Sequence, residues 1–225
     1  MYKKLITSLA AIIALSVAGA AIAKDDLPDQ TNDGLTRVKS KNVDAVYWQD
    51  GATLEQYNKV LIVDAAVAFK KNWERDYNRD VVGTSGRVRT EDMERIKEGL
   101  SKEFTAVFTQ QLTEGGYEVV ATPAEDVLIL RPAIINLNVT APDLQTSAMD
   151  RSYVSSAGDM TLYLELYDSA TGAKIGEVLD AQRARDTGFM QYSNRVTNKA
   201  EADRIFRKWS NLLVKALDEA HKKDD

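Results

Sequence analysis

The chain has 225 residues with 34 acidic against 29 basic side chains, a formal charge of −5, no cysteine and one histidine. The acidic balance excludes general nucleic-acid binding, which needs lysine and arginine to neutralise phosphates. Without cysteine there are no disulfides, thiolate zinc sites, thiol catalysis or acylated cysteine, so the fold must stand on its core alone.

Lys3 and Lys4 precede an apolar run from Leu5 to Ala18, and Ala21-Ile22-Ala23 puts small residues at cleavage positions. This reads as a secretory signal over residues 1–23, with Lys24 beginning a mature chain in the periplasm or outside the cell. The run is shorter than the roughly 20 residues that a membrane-crossing helix needs, and no later segment approaches that length. No transmembrane segment is therefore expected after cleavage. Loss of both leader lysines makes the mature chain two units more negative than the whole.

Residues 24–58 are rich in turn formers, Asp25, Asp26, Pro28, Asp29, Asn32, Asp33 and Gly34, with short apolar pieces such as Val43 to Tyr47. They are expected to form an extended N-terminal arm lying across a single α+β domain of residues 59–221. Val60-Leu61-Ile62-Val63 reads as a strand covered on both faces. Phe69 to Arg89 reads as a long charged and glycine-bearing loop.

Thr90 is expected to cap a helix whose Met93, Ile96, Leu100, Phe104, Val107 and Leu112 recur every three or four residues, with Gly115-Gly116 as its stop. Tyr117 to Val120 and Asp126 to Thr140 follow as strands. The second has Val127, Ile129, Ala133, Ile135, Leu137 and Val139 on one side, and Pro132 implies an edge position or a bulge. Met160, Leu162, Leu164 and Leu166 alternate with polar neighbours, and the turn Asp168 to Gly172 leads into Lys174 to Ala184 as a hairpin. Asn198 and Glu201 form an Asn-x-x-Glu capping box ahead of a helix carrying Ile205, Phe206, Trp209, Leu212, Leu213, Ala216 and Leu217. Residues 222–225 are expected to be a disordered tail.

These elements predict a two-layer α+β sandwich, a mostly antiparallel sheet of about five strands with two long helices on one face, because two apolar helix stripes need one sheet face to cover. The Val60 to Val63 strand is expected to pair in parallel with its successor through the first helix.

No catalytic, cofactor or metal motif stands out, and no cofactor is expected. His221 lies in the last turn of the final helix, where an imidazole simply meets the negative helix end. Histidine zinc sites need further ligands. Asp76, Asn78 and Asp80 match the first ligand positions of a calcium loop, yet Val81 stands where that loop needs glycine and Arg87 where it needs glutamate. Asp143, Asp150 and Asp159 read as turn formers. Asp64, after an apolar strand, is the least ordinary carboxylate for two-carboxylate hydrolysis, whose partner spacing cannot be read from sequence.

Two basic segments carrying aromatics stand out in this acidic chain. Lys70, Lys71, Trp73, Arg75, Tyr77 and Arg79 form the first, with Arg87 and Arg89 beyond; Arg185, Phe189, Tyr192 and Arg195 form the second, with Arg183, Met190 and Lys199 near it. Arginine with exposed aromatics is the composition of a partner-binding surface, and the alternative is a loop packing its aromatics on the core.

Asp26-Leu27-Pro28, Thr31 to Leu35, Asp44 to Tyr47, Tyr57 to Leu61 and the Tyr167 to Gly172 turn together resemble the bacterial domain-of-unknown-function family 3313. The resemblance implies an exported protein of uncharacterised function, and its lipoprotein members differ in having an acylated cysteine. The strand, Asp-x-x-Thr-Gly turn and terminal helix are also similar to small envelope-assembly domains of the TolB amino-terminal and curli-secretion type. Neither resemblance brings site residues with it. The combined expectation is a periplasmic, non-enzymatic binding or accessory domain of the envelope, its partner an envelope protein or an anionic envelope component. The alternative is a carboxylate-dependent hydrolase acting on an envelope polymer.

Overall fold

Met160, Leu162, Leu164 and Leu166 are buried and Thr161, Tyr163, Glu165 and Tyr167 only partly so, the two-residue period of a strand with one face on a core. A computed structural model describes residues 27–81, 86–140, 142, 152–154, 158–184, 191–193 and 195–222. The expected leader and the expected tail beyond residue 222 lie outside the described residues, as do Asp143, Asp150, Arg185, Phe189 and Met190.

In chain order the elements are β1 (Thr36–Val38), β2 (Ala45–Trp48), β3 (Lys59–Ile62), β4 (Ala66–Phe69), α1 (Trp73–Asp80), α2 (Thr90–Glu114), β5 (Glu118–Val119), β6 (Val127–Val139), β7 (Ser152–Val154), β8 (Gly158–Asp168), β9 (Lys174–Arg183), β10 (Gln191–Ser193) and α3 (Arg195–His221). The fold is α+β. Its main sheet has eight strands rather than five, ordered β1-β2-β9-β8-β6-β3-β5 with β4 also on β6, while β7 and β10 pair separately. The sheet is mixed: β3 runs parallel to both β5 and β6, and β4 parallel to β6. The parallel β3–β5 pairing through α2 is the one expected.

The structure differs from these expectations in several places. Residues 69–89 contain a helix, α1, because Trp73 and Tyr77 stand one helical turn apart and stack, with ring centroids 5.6 Å apart, while Phe69 stacks on Trp73 at 4.3 Å. The side chain of Asn78 then clamps the following chain, accepting from the Val88 N–H at 2.8 Å and donating to its carbonyl at 2.9 Å. Residues 36–38 and 45–48 of the expected arm extend the sheet, β2 pairing with β9 from Ala45↔Leu179 to Trp48↔Gly176.

In β6 the helix-facing residues are Leu128, Leu130 and Ile134, then Leu137, not the single series read from sequence. Apolar residues occupy both faces, and a bulge around Asn136, at φ 52, shifts the phase by one. Pro132 is central, between β8 and the β3–β4 side, rather than at an edge. The Leu130 carbonyl accepts from the Val63 N–H at 2.9 Å, so Pro132, two residues on, turns its donor-less nitrogen to the same neighbour. That neighbour is interrupted between β3 and β4, where exposed Asp64 lies.

The helices run parallel on one sheet face. Lys199 pairs with Glu103, Arg207 bonds Gln110 and Asp218 bonds Tyr117, so both helices advance in the same direction. Phe104 stacks on Phe108 at 4.0 Å and meets Phe206 edge-on at 5.4 Å, all three buried between helices and sheet. Helix starts differ from expectation by a few residues. Arg89 precedes α2, its N–H bonded to Asp92, so Thr90 is already helical, and α3 begins at Arg195, which puts Asn198 inside it.

Candidate functional site

Toward their C-termini α2 and α3 are close, a Cβ built on Gly115 falling 2.7 Å from Val214. Toward their N-terminal halves they leave a cavity of about 460 Å³ above the ends of β6 and β8. Ile96 and Leu100 of α2, Leu137 and Val139 of β6, Met160 of β8, and Ala202 and Ile205 of α3 form its aliphatic wall. Such a volume lies in the range of small-molecule sites, which are mostly apolar with a few polar groups.

Charged side chains stand around the mouth. Lys199 bonds Glu103 and reaches Asp203 at 3.4 Å, Glu201 is held by Arg204 at 3.0 Å, and Asp159 accepts from Asn138 at 2.9 Å. Glu103 and Asp203 also bond one another, and their carboxyls are driven apart. Burial pushes both upward; for Glu103 the bonds from Lys199 and Asp203 together with the Lys199 and Arg207 charges outweigh it and hold the group low, whereas Asp203, beside the Glu103 charge, stays raised. Opposed shifts in neighbouring carboxyls are the pattern of an acid and a base.

A second polar cluster lies on the other sheet face. Glu165 of β8 and Glu177 of β9 are directly opposite one another, and Lys174, its side chain 12% exposed, reaches them at 3.4 and 3.1 Å and pairs with Asp33, ahead of β1. Burial would lower Lys174, but its bonds to Asp33 and Glu177 raise it. Tyr163 and Tyr167 donate to Glu165 at 3.2 and 3.1 Å. With these oxygens engaged, the cluster works as an ionic clasp that fastens the turn at Asp33 to the sheet.

Of the basic-aromatic residues, Trp73 is buried and Tyr77 half-buried, both inside the α1 stack. Lys70 and Lys71 are exposed; Arg75 and Arg79 each pair with the next aspartate while their side chains stay 71% exposed. Tyr192 lies in β10 and Arg195 opens α3. Asp76, Asn78 and Asp80 fall on α1, where alternate residues point about 200° apart and cannot converge on one ion. Among the described residues no group of three acidic or histidine side chains is placed to hold a metal. His221 Nδ1 lies 3.2 Å from the Tyr117 hydroxyl, which donates to Asp218 at 2.8 Å.

Sequence reasoning did not find the cavity, because it arises between helices about a hundred residues apart. One local signal was present: Gly99 interrupts the interior of α2 and lines the cavity.

No described helix is long and apolar enough to cross a membrane. A family model described as "Protein of unknown function (DUF3313)" matches residues 27–213. No curated protein matches the chain. Among solved structures, the PelC dodecamer from Paraburkholderia phytofirmans is similar at 14% identity, over 72% of this chain and 91% of that one, with a TM-score of 0.37. A DUF4136 family protein from Bacteroides thetaiotaomicron matches at 11% identity, over 79% of this chain and 100% of that one, with a TM-score of 0.35. A minor lipoprotein from Acinetobacter baumannii matches at 8% identity, over 71% and 91%, with a TM-score of 0.33.

Proposed function

The chain belongs to the DUF3313 family of proteins of unknown function, and from that premise we propose that it is an exported, non-enzymatic binding or accessory domain of the cell envelope whose ligand enters the α2/α3 cavity. In this reading residues 1–23 are removed on export, residues 24–58 form an arm clasped to the sheet, and residues 59–221 form the domain. The observation that carries it is the aliphatic cavity itself, about 460 Å³ in size and open between two helices that approach closely at Gly115 and Val214. The exposed Lys70, Lys71, Arg75 and Arg79 around α1 are assigned to an envelope partner or anionic component, with Trp73 as their structural support.

The test is native mass spectrometry of the protein purified from an envelope fraction. A mature chain starting at Lys24 with a small molecule bound is expected, the ligand being lost in Leu100→Trp, which fills the cavity. A species retaining residues 1–23, or an adduct unaffected by the substitution, defeats the corresponding half of the proposal.

A second reading, a carboxylate-dependent hydrolase of an envelope polymer, is favoured by the opposed shifts of Glu103, which lines the cavity, and its neighbour Asp203. It requires that Asp203→Asn abolish polymer cleavage while leaving ligand capture intact. Absence of any cleavage by the wild-type protein rejects it.

A further inference from the structure

Resting on the binding reading above, we infer that the cavity holds the single aliphatic chain of a free long-chain fatty acid, which enters past Gly99 with its carboxylate beside Lys102.

Gly99 is the first ground. Glycine inside a helix is less stable than alanine, because it gives up more backbone freedom on folding. Two reasons for tolerating it are missing here: Gly99 is not among the residues of positive φ, and a Cβ built on it meets no described atom within 4 Å. What the absent side chain leaves is a notch in the α2 wall of the cavity. That opening serves a ligand rather than the packing.

The second ground is the chemistry of the wall. Its apolar described members, among them Ile96, Leu100, Val139 and Met160, are all aliphatic, with no aromatic ring to stack on a planar ligand. A peptide would bring one N–H and one C=O per residue into this space, where helix backbones already satisfy their own groups, and each unmatched group costs free energy. A hydrocarbon chain brings none. A cavity of about 460 Å³ has room for one such acyl chain.

The third ground is charge. Of the cavity's carboxylates, Glu103, Glu201 and Asp159 are engaged by Lys199, Arg204 and Asn138, while Glu98 faces Lys102. Lys102, one turn beyond Gly99 on the same face of α2, has Glu98 at 3.8 Å as its ion-pair partner among the described residues, its side chain 81% exposed. An anionic head placed there gains a cation without breaking a tight pair.

The test is a fluorescence titration of the protein purified after export, using dansyl-undecanoic acid and anilinonaphthalene sulfonate as probes and hexadecanoate as competitor. Hexadecanoate is expected to displace both probes; Gly99→Trp should weaken its binding at least tenfold and Gly99→Ala less than twofold. Lys102→Glu should weaken it several-fold at low salt, with the difference fading as salt screens the pair. If anilinonaphthalene sulfonate binding is lost in Gly99→Trp yet hexadecanoate displaces nothing, the fatty-acid inference falls while the cavity reading stands. If both probes bind Gly99→Trp as they bind wild type, both fall. More effective displacement by a leucine-rich peptide or by diacyl phospholipid vesicles overturns the inference, and equal displacement by hexadecylamine overturns its head assignment. Should Gly99→Trp fail to fold, the competition series on wild-type protein decides alone.

Discussion

The indole N–H of Trp209 donates a 2.7 Å hydrogen bond to the carboxylate of Asp180, both residues being at least 97% buried, and so ties α3 to β9 beneath the helix layer. Gln182 and Lys208 reach the same carboxylate oxygen at 2.7 and 3.5 Å, which leaves this buried charge well partnered. Trp209→Ala should destabilise by about 3–5 kcal/mol, as truncation of a large buried aromatic does. Trp209→Phe should cost about 1–3 kcal/mol, mostly from the donor lost by Asp180. Denaturant unfolding of the two variants separates the packing from the hydrogen bond. A change below about 1 kcal/mol for alanine would mean that the stripe is not core.

The placement of Trp209 was legible in sequence because an apolar stripe of period 3.6 survives whatever surrounds it. The β8 alternation and the Asp168 turn were legible for the same reason: each is a local pattern with one physical meaning. β6 was not, since apolar residues on both faces carry no phase and the bulge at Asn136 needs no particular side chain to announce it. α1 is not legible although Trp73 and Tyr77 stand four apart, because the charged residues and nearby glycines around that pair carry no helical period. The cavity depends on how far two helices diverge, which no local pattern encodes.

Gly99 and Gly115 make opposite demands on one helix. Gly99→Ala should stabilise by about 0.5–1 kcal/mol, since its Cβ enters open space. Gly115→Ala should destabilise by about 1–3 kcal/mol, since its Cβ would lie 2.7 Å from Val214 and force the helices apart. Thermal unfolding of the pair, side by side, checks both signs.

The Tyr57–Asp168 bond bounds a pH window. Asp168 is held below the ordinary carboxylate range, first by the Thr171 hydroxyl at 2.6 Å, then by the Thr171 N–H and Tyr57. Tyr57 is pushed up to about 12 by burial and by its bond to Asp168. The lowered carboxyl contributes stability above its unfolded pKa of about 4, and this is lost as pH falls through the folded value. The raised phenol contributes below its unfolded pKa of about 10, and this is lost as pH rises toward the folded value. The stability gap between wild type and Tyr57→Phe should therefore be flat from about pH 5 to 9 and shrink on either side, as urea unfolding across that range would show. A gap that widens above pH 10 contradicts this assignment.

Arg75 and Arg79, with side chains 71% exposed, should tolerate reversal to glutamate within about 0.5 kcal/mol. The same double substitution should reduce recovery of an envelope partner or of anionic vesicles in a pull-down, most at low salt. Unchanged recovery at every ionic strength would leave the exposed face of α1 without a recognition role.

The outer margins of the main sheet are β1, β4 and β5, of three, four and two residues. A long bare margin is a template onto which a foreign strand can zip, and the hazard grows with the number of unpaired backbone groups in line. Here the long strands, β6, β8 and β9, are all interior. The interruption opposite Pro132 divides what would have been one continuous rim. The sheet thus carries its own protection against amyloid-like growth, written into where its strands stop rather than into what decorates them.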